Sequence, residues 1–185
     1  MLSIELIINQ DGWKDKEDLL DYTGNIKMII GERDLPPRYN KDGIEVRLYE
    51  TTFEFLDLLN NILNVFKLSR EGNPDNTHFK AEFCYTGNFI FAWIDGRDNN
   101  LVRVRLEFNP VEISDDDIMS SGGYEDSVSL ENFAFEILYF SISVVEAFLE
   151  HDPALQDDLE SMERFIMELR SQLEKDFDLT LSDEK

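Results

Sequence analysis

The tetrapeptide Tyr-Thr-Gly-Asn occurs twice in the chain, at residues 22–25 and 85–88, and each copy precedes a short apolar run. After each run come a glycine and an Arg-Asp pair, and then the tripeptide Val-Arg-Leu, at residues 46–48 and 104–106. A single four-residue match can arise by chance, because Thr-Gly-Asn is common in hairpin turns. The ordered set of matches is better explained by an internal duplication of one supersecondary unit.

This duplication predicts an α+β fold in which a β-β-β-α unit is repeated twice. The two halves span approximately residues 1–70 and 78–150, and a C-terminal helix at residues 153–177 follows them. Because a three-stranded half cannot bury its apolar side alone, we expect the halves to merge into one mostly antiparallel sheet of about six strands, with the helices on one face. Residues 1–185 then form a single domain, a size that suits one well-buried core.

Three local patterns place the helices and a connecting segment. Thr51 and Glu54 have the spacing of a capping box and predict the start of a helix. Asp152 followed by Pro153 predicts the cap and first turn of the last helix. The acidic, glycine-containing segment 109–127 is predicted as a loop. The narrow apolar stripe of the last helix fits packing within the chain or a coiled-coil seam, so we expect a monomer or a homodimer.

The charge of the chain restricts its partners. Forty Asp and Glu residues against 17 Lys and Arg residues give a formal net charge of −23 at pH 7. Such a surface repels nucleic-acid phosphates and attracts basic proteins, although strong acidity also serves solubility alone. Because 42% of the residues are hydrophobic, the chain is expected to be a folded protein rather than a disordered acidic tail.

The expected location follows from the cysteine content and the apolar segments. Cys84 is the single cysteine, so no intrachain disulfide forms and an oxidising compartment is not indicated. The N-terminal residues lack the pattern of a secretory signal, and we expect no apolar stretch to approach a membrane span. The sequence therefore predicts a cytoplasmic protein that binds neither membranes nor nucleic acid directly.

One predicted surface is a sheet face that carries aromatic residues beside arginines. A two-residue turn at Thr86 and Gly87 would place Tyr85 opposite Asn88. One polar face of the sheet would then carry Phe91, Trp93, Arg103 and Arg105. Aromatic residues and arginine are enriched at protein interfaces, which makes this face a candidate for partner binding. A three-residue turn would reverse the register and send the aromatic side chains into the core, where most such residues lie.

Residues for catalysis, metal binding or cofactor binding do not form a pattern in this sequence. The two histidines, His78 and His151, are far apart in the chain, and no paired cysteines or phosphate-binding glycine loop are present. The segment that begins at Asp95 resembles a calcium loop, but Leu106 stands where the closing glutamate is needed. We therefore expect no metal site and no cofactor, and a binding protein rather than an enzyme.

The leading hypothesis from these features is a cytoplasmic binding protein that recognises a basic protein. Small, acidic, cysteine-poor α+β proteins without catalytic motifs have the physical profile of immunity or inhibitor proteins, which neutralise a basic toxin or nuclease by occlusion. The predicted acidic contact comprises Asp115, Asp116, Asp117, Glu125 and Asp126. Two alternatives are a DNA mimic that displaces nucleic acid from a regulator, and an enzyme that uses carboxylates in a cleft between the halves.

Overall fold

The computed structural model describes residues 1–14, 16, 18–31, 33–34, 44–70, 78–83, 88–94, 101–107 and 123–178. Its first half contains the strands β1 (Leu2–Ile7), β2 (Thr23–Ile30), β3 (Arg33–Asp34) and β4 (Ile44–Arg47), followed by the helix α1 (Leu48–Arg70). Its second half contains the strands β5 (His78–Phe83), β6 (Asn88–Ile94), β7 (Leu101–Glu107) and β8 (Gly123–Ser129). The helices α2 (Leu130–His151) and α3 (Gln156–Phe177) complete the chain.

The described strands form two sheets of four strands each. In the first sheet β2 is central, with β1 antiparallel on one side and both β3 and β4 antiparallel on the other. The second sheet is an antiparallel meander in the order β5-β6-β7-β8. The α+β class is confirmed, but the prediction of one continuous sheet of about six strands is wrong.

The sheets stay separate because the outer edge of β1 is closed by a helix. On α2, the Asn132 Oδ1 atom accepts the Leu2 N–H at 2.7 Å, and its Nδ2 donates to the Leu2 carbonyl at 3.2 Å. One turn further on, Glu136 Oε2 accepts the Ile4 N–H at 3.0 Å. These side chains occupy the backbone groups that another strand would need, so the first sheet cannot extend at this edge.

Each long helix packs mainly against the sheet of the other half. The helix α1 packs on β5 and β6, whereas α2 packs on β1, and the two helices also contact each other. The expectation that all helices share one face of a single sheet is therefore wrong. The two halves also differ in strand pairing, because β2 pairs with all three other strands of the first sheet, whereas the second sheet is a meander. An internal duplication stays a prediction.

The sequence predicted a turn at the first Tyr-Thr-Gly-Asn copy, but the structure has none there. Tyr22 is buried before β2, and the next three residues begin that strand. A Cβ atom at Gly24 would lie 3.0 Å from Leu48 Cδ2, so the glycine allows a close approach between strand and helix. In the second copy only Asn88 is described, at the start of β6, and Tyr85, Thr86 and Gly87 lie outside the described residues.

The predicted capping box at Thr51 is wrong, because α1 begins three residues earlier, at Leu48. Thr51 and Thr52 are both buried inside the helix. The Thr52 hydroxyl donates to the Leu48 carbonyl at 2.7 Å, a bond that helix-interior threonines commonly form. The helix starts early because Leu48 is itself fully buried and its N–H donates to the Tyr22 carbonyl at 3.1 Å.

The last two helices form an antiparallel hairpin that completes the core. The Ser129 side chain caps α2 by accepting the Asn132 N–H. The 3₁₀ turn Pro153–Leu155 then leads into α3. The narrow stripe of α3 packs within the chain against α1 and α2. The buried residues of that stripe are Leu159, Met162, Ile166, Leu169, Leu173 and Phe177.

The helix α2 has the length and composition of a membrane span, contrary to the expectation that no apolar stretch approaches one. Its most apolar window has a mean hydropathy of 1.5, and 61% of that window is buried within the structure. A single helix of this kind is weak evidence for a membrane span, because the core helix of a soluble protein has the same properties. Here the apolar side chains of α2 contact β1, α1 and α3.

Candidate partner-binding surfaces

The structure describes two of the five residues of the predicted acidic contact. Asp115, Asp116 and Asp117 lie outside the described residues. Glu125 and Asp126 lie on β8, so residues 123–127 form part of a strand and not of the predicted loop. Because successive residues of a strand point to opposite faces of the sheet, these two carboxylates lie on opposite faces of β8, and the acidic contact stays a prediction.

Glu125 lies beside the two arginines of β7. It is directly opposite Arg105 in the strand register, and its Oε1 atom is 3.6 Å from Arg103 Nη1, on the diagonal. The Arg103 and Glu125 side chains are 42% and 40% exposed. This pair is thus largely hydrated and holds its geometry only weakly.

Asp126 lies at the junction between the two sheets. Its Oδ2 atom occupies the position next to Gly31, at the end of β2, where a Cβ atom would otherwise extend. Gly31 has a φ of +69°, and its N–H donates to the Met1 carbonyl at 2.7 Å. The Asp126 carboxylate therefore fills a space that exists only because residue 31 is glycine.

The predicted aromatic positions are on β6, beside the arginines of β7. In the strand register, Phe91 is opposite Arg105 and Trp93 is opposite Arg103. Asn88 pairs with Phe83, so the predicted pairing of Asn88 with Tyr85 is wrong. The register differs from the prediction by two residues, and an even shift leaves every residue on the same face of the sheet. These four positions therefore share one face.

A further acidic surface, which was not among the predicted contacts, lies where α2 ends and α3 begins. We call it the acidic hairpin end. At least part of each of its side chains is exposed, and the short turn between the antiparallel helices brings them to the same end of the hairpin. Its residues are Glu146, Glu150, Asp152, Asp157, Asp158 and Glu160. From the sequence, Glu146 and Glu150 are expected on one helical face near His151, as a solvated face.

The turn that holds this surface is fixed by backbone capping. The Asp152 N–H donates to the Phe148 carbonyl at 2.8 Å and ends α2. Its Oδ1 atom accepts the Ala154 N–H at 2.9 Å and starts the next turn, where Pro153 supplies a suitable backbone angle. Asp157 and Asp158 lie in the first turn of α3, where the helix dipole favours negative charge. Part of the negative charge at this end is thus explained by the capping role of Asp152 and by the dipole of α3.

An aromatic cluster attaches the N-terminal segment to the same end of the hairpin. The buried Trp13 ring contacts Tyr22, Phe148 and His151, with ring centroids 4.9, 5.5 and 5.4 Å away. Its Nε1–H donates to the Thr23 carbonyl at 2.8 Å, which satisfies the one polar group of the indole. This packing gives the acidic hairpin end a rigid support.

Tyr22 is the described residue whose acidity is clearly altered. Burial raises the pKa of its phenol above the ordinary value of 10.0, and the negative charge of Asp152 raises it further. Its hydroxyl donates to the Lys16 carbonyl at 3.4 Å, a long bond. Tyr22 therefore remains a neutral packing residue near neutral pH and adds no charge to the acidic hairpin end.

A simple sequence signal could have located this surface. No Lys or Arg occurs between Arg105 and Arg164, although carboxylates are frequent throughout that stretch. The predicted acidic contact contains the consecutive residues Asp115, Asp116 and Asp117 of a predicted loop. The carboxylates of the acidic hairpin end are instead spaced along helices. A search of the sequence for stretches without Lys or Arg finds them, because carboxylates in such a stretch have no neighbouring cation in the sequence with which to pair.

Metal and cofactor chemistry receives no support from the part of the chain that the structure describes. Within that part, no group of three or more His, Cys, Asp or Glu side chains could hold a metal ion. No family model matches the sequence, and no curated protein or solved structure is significantly similar to it. The surfaces described above are therefore the basis for inferring a function.

Proposed function

We propose that this protein is a non-enzymatic, cytoplasmic binding protein that recognises a basic protein partner. The observation that supports the proposal is the acidic hairpin end, where six carboxylates are at least partly exposed and no Lys or Arg interrupts them in the sequence. In its more specific form, the protein is an immunity or inhibitor protein that neutralises a basic toxin or nuclease by occlusion. The carboxylates then occupy the cationic cleft that otherwise holds phosphates.

The mechanism has an electrostatic step and a packing step. A net charge of −23 attracts a basic partner over distances of about one Debye length, roughly 8–10 Å at physiological ionic strength. Clustered carboxylates orient the approaching partner and raise the association rate, which becomes dependent on salt. Because the acidic hairpin end lies on two helices joined by a capped 3₁₀ turn above buried aromatic rings, binding does not require its backbone to become ordered.

The test compares two triple variants that change the net charge by the same amount. The first, Asp157→Asn, Asp158→Asn and Glu160→Gln, neutralises part of the acidic hairpin end. The matched control neutralises three exposed carboxylates elsewhere, on β1, β4 and α1: Glu5→Gln, Glu45→Gln and Asp57→Asn. The probes are small basic nuclease domains, and the association rate is measured by stopped-flow fluorescence over a range of salt concentrations.

We expect the hairpin variant to associate about tenfold more slowly at low salt, within the range that electrostatic steering produces. The control variant should slow association less, because its charges lie away from the contact. An association rate that is independent of salt, or equal slowing by both variants, would show that the acidic hairpin end is not the recognition surface.

A further inference from the structure

The outward face of α2 is more apolar than the exposed face of a core helix usually is. Such a face normally carries polar residues, because it lies in water. On α2 it includes Phe135 and Ile142, which are partly buried, and Tyr139, which is 39% exposed. Tyr139 is also the one aromatic residue among the large apolar side chains that are exposed in the described part of the chain. This face contributes to the high mean hydropathy of α2.

Two aromatic rings occupy the middle of this face. Phe135 and Tyr139 are about one helical turn apart, so they lie on the same side of α2. Their ring centroids are 5.9 Å apart, and the ring planes are within 15° of parallel. The pair therefore forms a small aromatic surface, of which Tyr139 is the more exposed member.

Carboxylates lie beyond both ends of the aromatic pair. Glu131 is one turn before Phe135, and Glu146 is two turns, or about 10 Å along the axis, beyond Tyr139. Both glutamates are exposed, as is Glu150 one turn later. The helix α2 contains no Lys or Arg, and the ion pairs found among the described residues include none of these three carboxylates. The face therefore carries negative charge that no cation of its own helix neutralises.

An aromatic surface between carboxylates suits an arginine side chain. A guanidinium is planar and positively charged, stacks on aromatic rings, and binds carboxylates through two parallel hydrogen bonds. A second copy of this face, or a membrane with anionic lipids, would bring negative charge against the glutamates, so neither is favoured. Glu146 and Glu150 also belong to the acidic hairpin end, so the face is continuous with the surface proposed above to bind a basic protein.

We propose that the outward face of α2 binds an arginine-containing segment of a basic protein partner, with a guanidinium on the exposed ring of Tyr139 and further cations beside the glutamates. This inference rests on the proposed function for the basic character of the partner, and it adds a preference for arginine over lysine. Electrostatic steering does not distinguish the two, because they carry the same charge. The aromatic pair supplies the contact that does.

The test compares two octapeptides of equal charge, one alternating arginine with alanine and the other alternating lysine with alanine. Their affinities are measured by fluorescence anisotropy for the unaltered protein and for three variants. Tyr139→Ala removes the ring, and Tyr139→Phe keeps it. Tyr49→Ala is the matched control, because Tyr49 is a partly exposed tyrosine on α1 that also contacts a phenylalanine four residues later, Phe53, with ring centroids 5.0 Å apart.

We expect the unaltered protein to bind the arginine peptide about two- to fivefold more tightly than the lysine peptide, which is the range of a cation–π contact at an exposed site. Tyr139→Ala should abolish this preference, whereas Tyr139→Phe and Tyr49→Ala should keep it. Equal binding of the two peptides by the unaltered protein would overturn the proposal. So would a preference that Tyr139→Ala leaves unchanged, or that Tyr49→Ala lowers as much.

The location of the bound peptide is measured by NMR on the unaltered protein, which decides the matter if Tyr139→Ala does not fold. We expect the arginine peptide to shift the amide resonances of residues 131–150 more than the lysine peptide does. Shifts confined to other elements would overturn the proposal. Self-association in sedimentation experiments that Tyr139→Ala abolishes would instead assign the face to a second copy of this chain.

The hairpin triple variant separates this inference from the proposed function, because it leaves α2 unaltered. If it slows association with basic nuclease domains while Tyr139→Ala leaves the arginine preference intact, the proposed function stands and this inference fails. If the triple variant has no effect while Tyr139→Ala abolishes the preference, the acidic hairpin end fails and the α2 face survives.

Discussion

The backbone groups at the outer edges of β1 and β8 find hydrogen-bond partners in different ways. The β1 edge is covered by α2, whose Asn132 and Glu136 side chains bond to the backbone of Leu2 and Ile4. At the β8 edge, a local side chain holds the Ser127 N–H and exposed carboxylates lie on either side. The first arrangement is part of the core, whereas the second is exposed at Glu125, Asp126 and Ser127. Stability should therefore depend strongly on the side chains at the β1 edge and weakly on those at the β8 edge.

The largest effect is expected at Glu136, which is 4% exposed. Glu136→Ala removes the acceptor of the Ile4 N–H and leaves that donor buried, which should lower the free energy of unfolding by about 2–3 kcal/mol. The measurement is urea denaturation followed by circular dichroism. Glu136→Gln keeps an acceptor oxygen and is the matched control, with a smaller expected loss. Equal losses would mean that the β1 edge depends on the charge of Glu136 and not on its acceptor.

The second effect concerns Gly31, at the junction with Asp126. Gly31→Ala places a Cβ atom against the Asp126 carboxylate and forces alanine into a left-handed backbone conformation, which alone costs about 1–2 kcal/mol. The double variant Gly31→Ala/Asp126→Ala should recover the stability lost through the contact with the carboxylate. It should not recover the stability lost through the left-handed backbone conformation. Additive single losses in a double-mutant cycle would show that the two residues do not touch.

A loss of about 1 kcal/mol is expected for Asn132→Ala, which removes two hydrogen bonds to Leu2 at a partly buried site. Hydrogen exchange at Leu2 should accelerate more than exchange in β2, because only the outer edge of β1 is uncovered. Exchange that accelerates equally across the first sheet would indicate global unfolding and would weaken the comparison between the two edges.

The smallest effect is expected at the β8 edge itself. Arg103 and Glu125 are about half exposed, so a double-mutant cycle with Arg103→Ala and Glu125→Ala should give a coupling below about 0.5 kcal/mol. Thermal unfolding at low and high salt measures it. A coupling as large as the loss of about 1 kcal/mol expected for Asn132→Ala would remove the distinction between the two edges.

Local patterns predicted individual elements better than they predicted how the elements assemble. The alternation of Val102 and Val104 with arginines predicted the inward face of β7, and both valines are fully buried. The spacing of apolar residues in α3 likewise predicted its buried stripe. These features depend on neighbours in sequence, for which periodicity is a direct signal.

The separation into two sheets could not be read from the sequence. It depends on hydrogen bonds between Leu2 and Asn132, which are 130 residues apart, and neither residue belongs to a motif. The same limit applies to Gly24, whose role inside β2 depends on contact with Leu48. Glu125 and Asp126 show a related limit, since they are adjacent in sequence but point to opposite faces of β8.

The packing of each helix on the sheet of the other half has a consequence for synthesis on the ribosome. Until Asn132 and Glu136 have emerged, β1 has no cover for its outer edge, even though the whole first sheet and α1 have already been made. A nascent chain at that stage exposes a strand that can pair with its neighbours on the same message. Truncated products that stop before α2 are accordingly expected to aggregate more readily than the full chain.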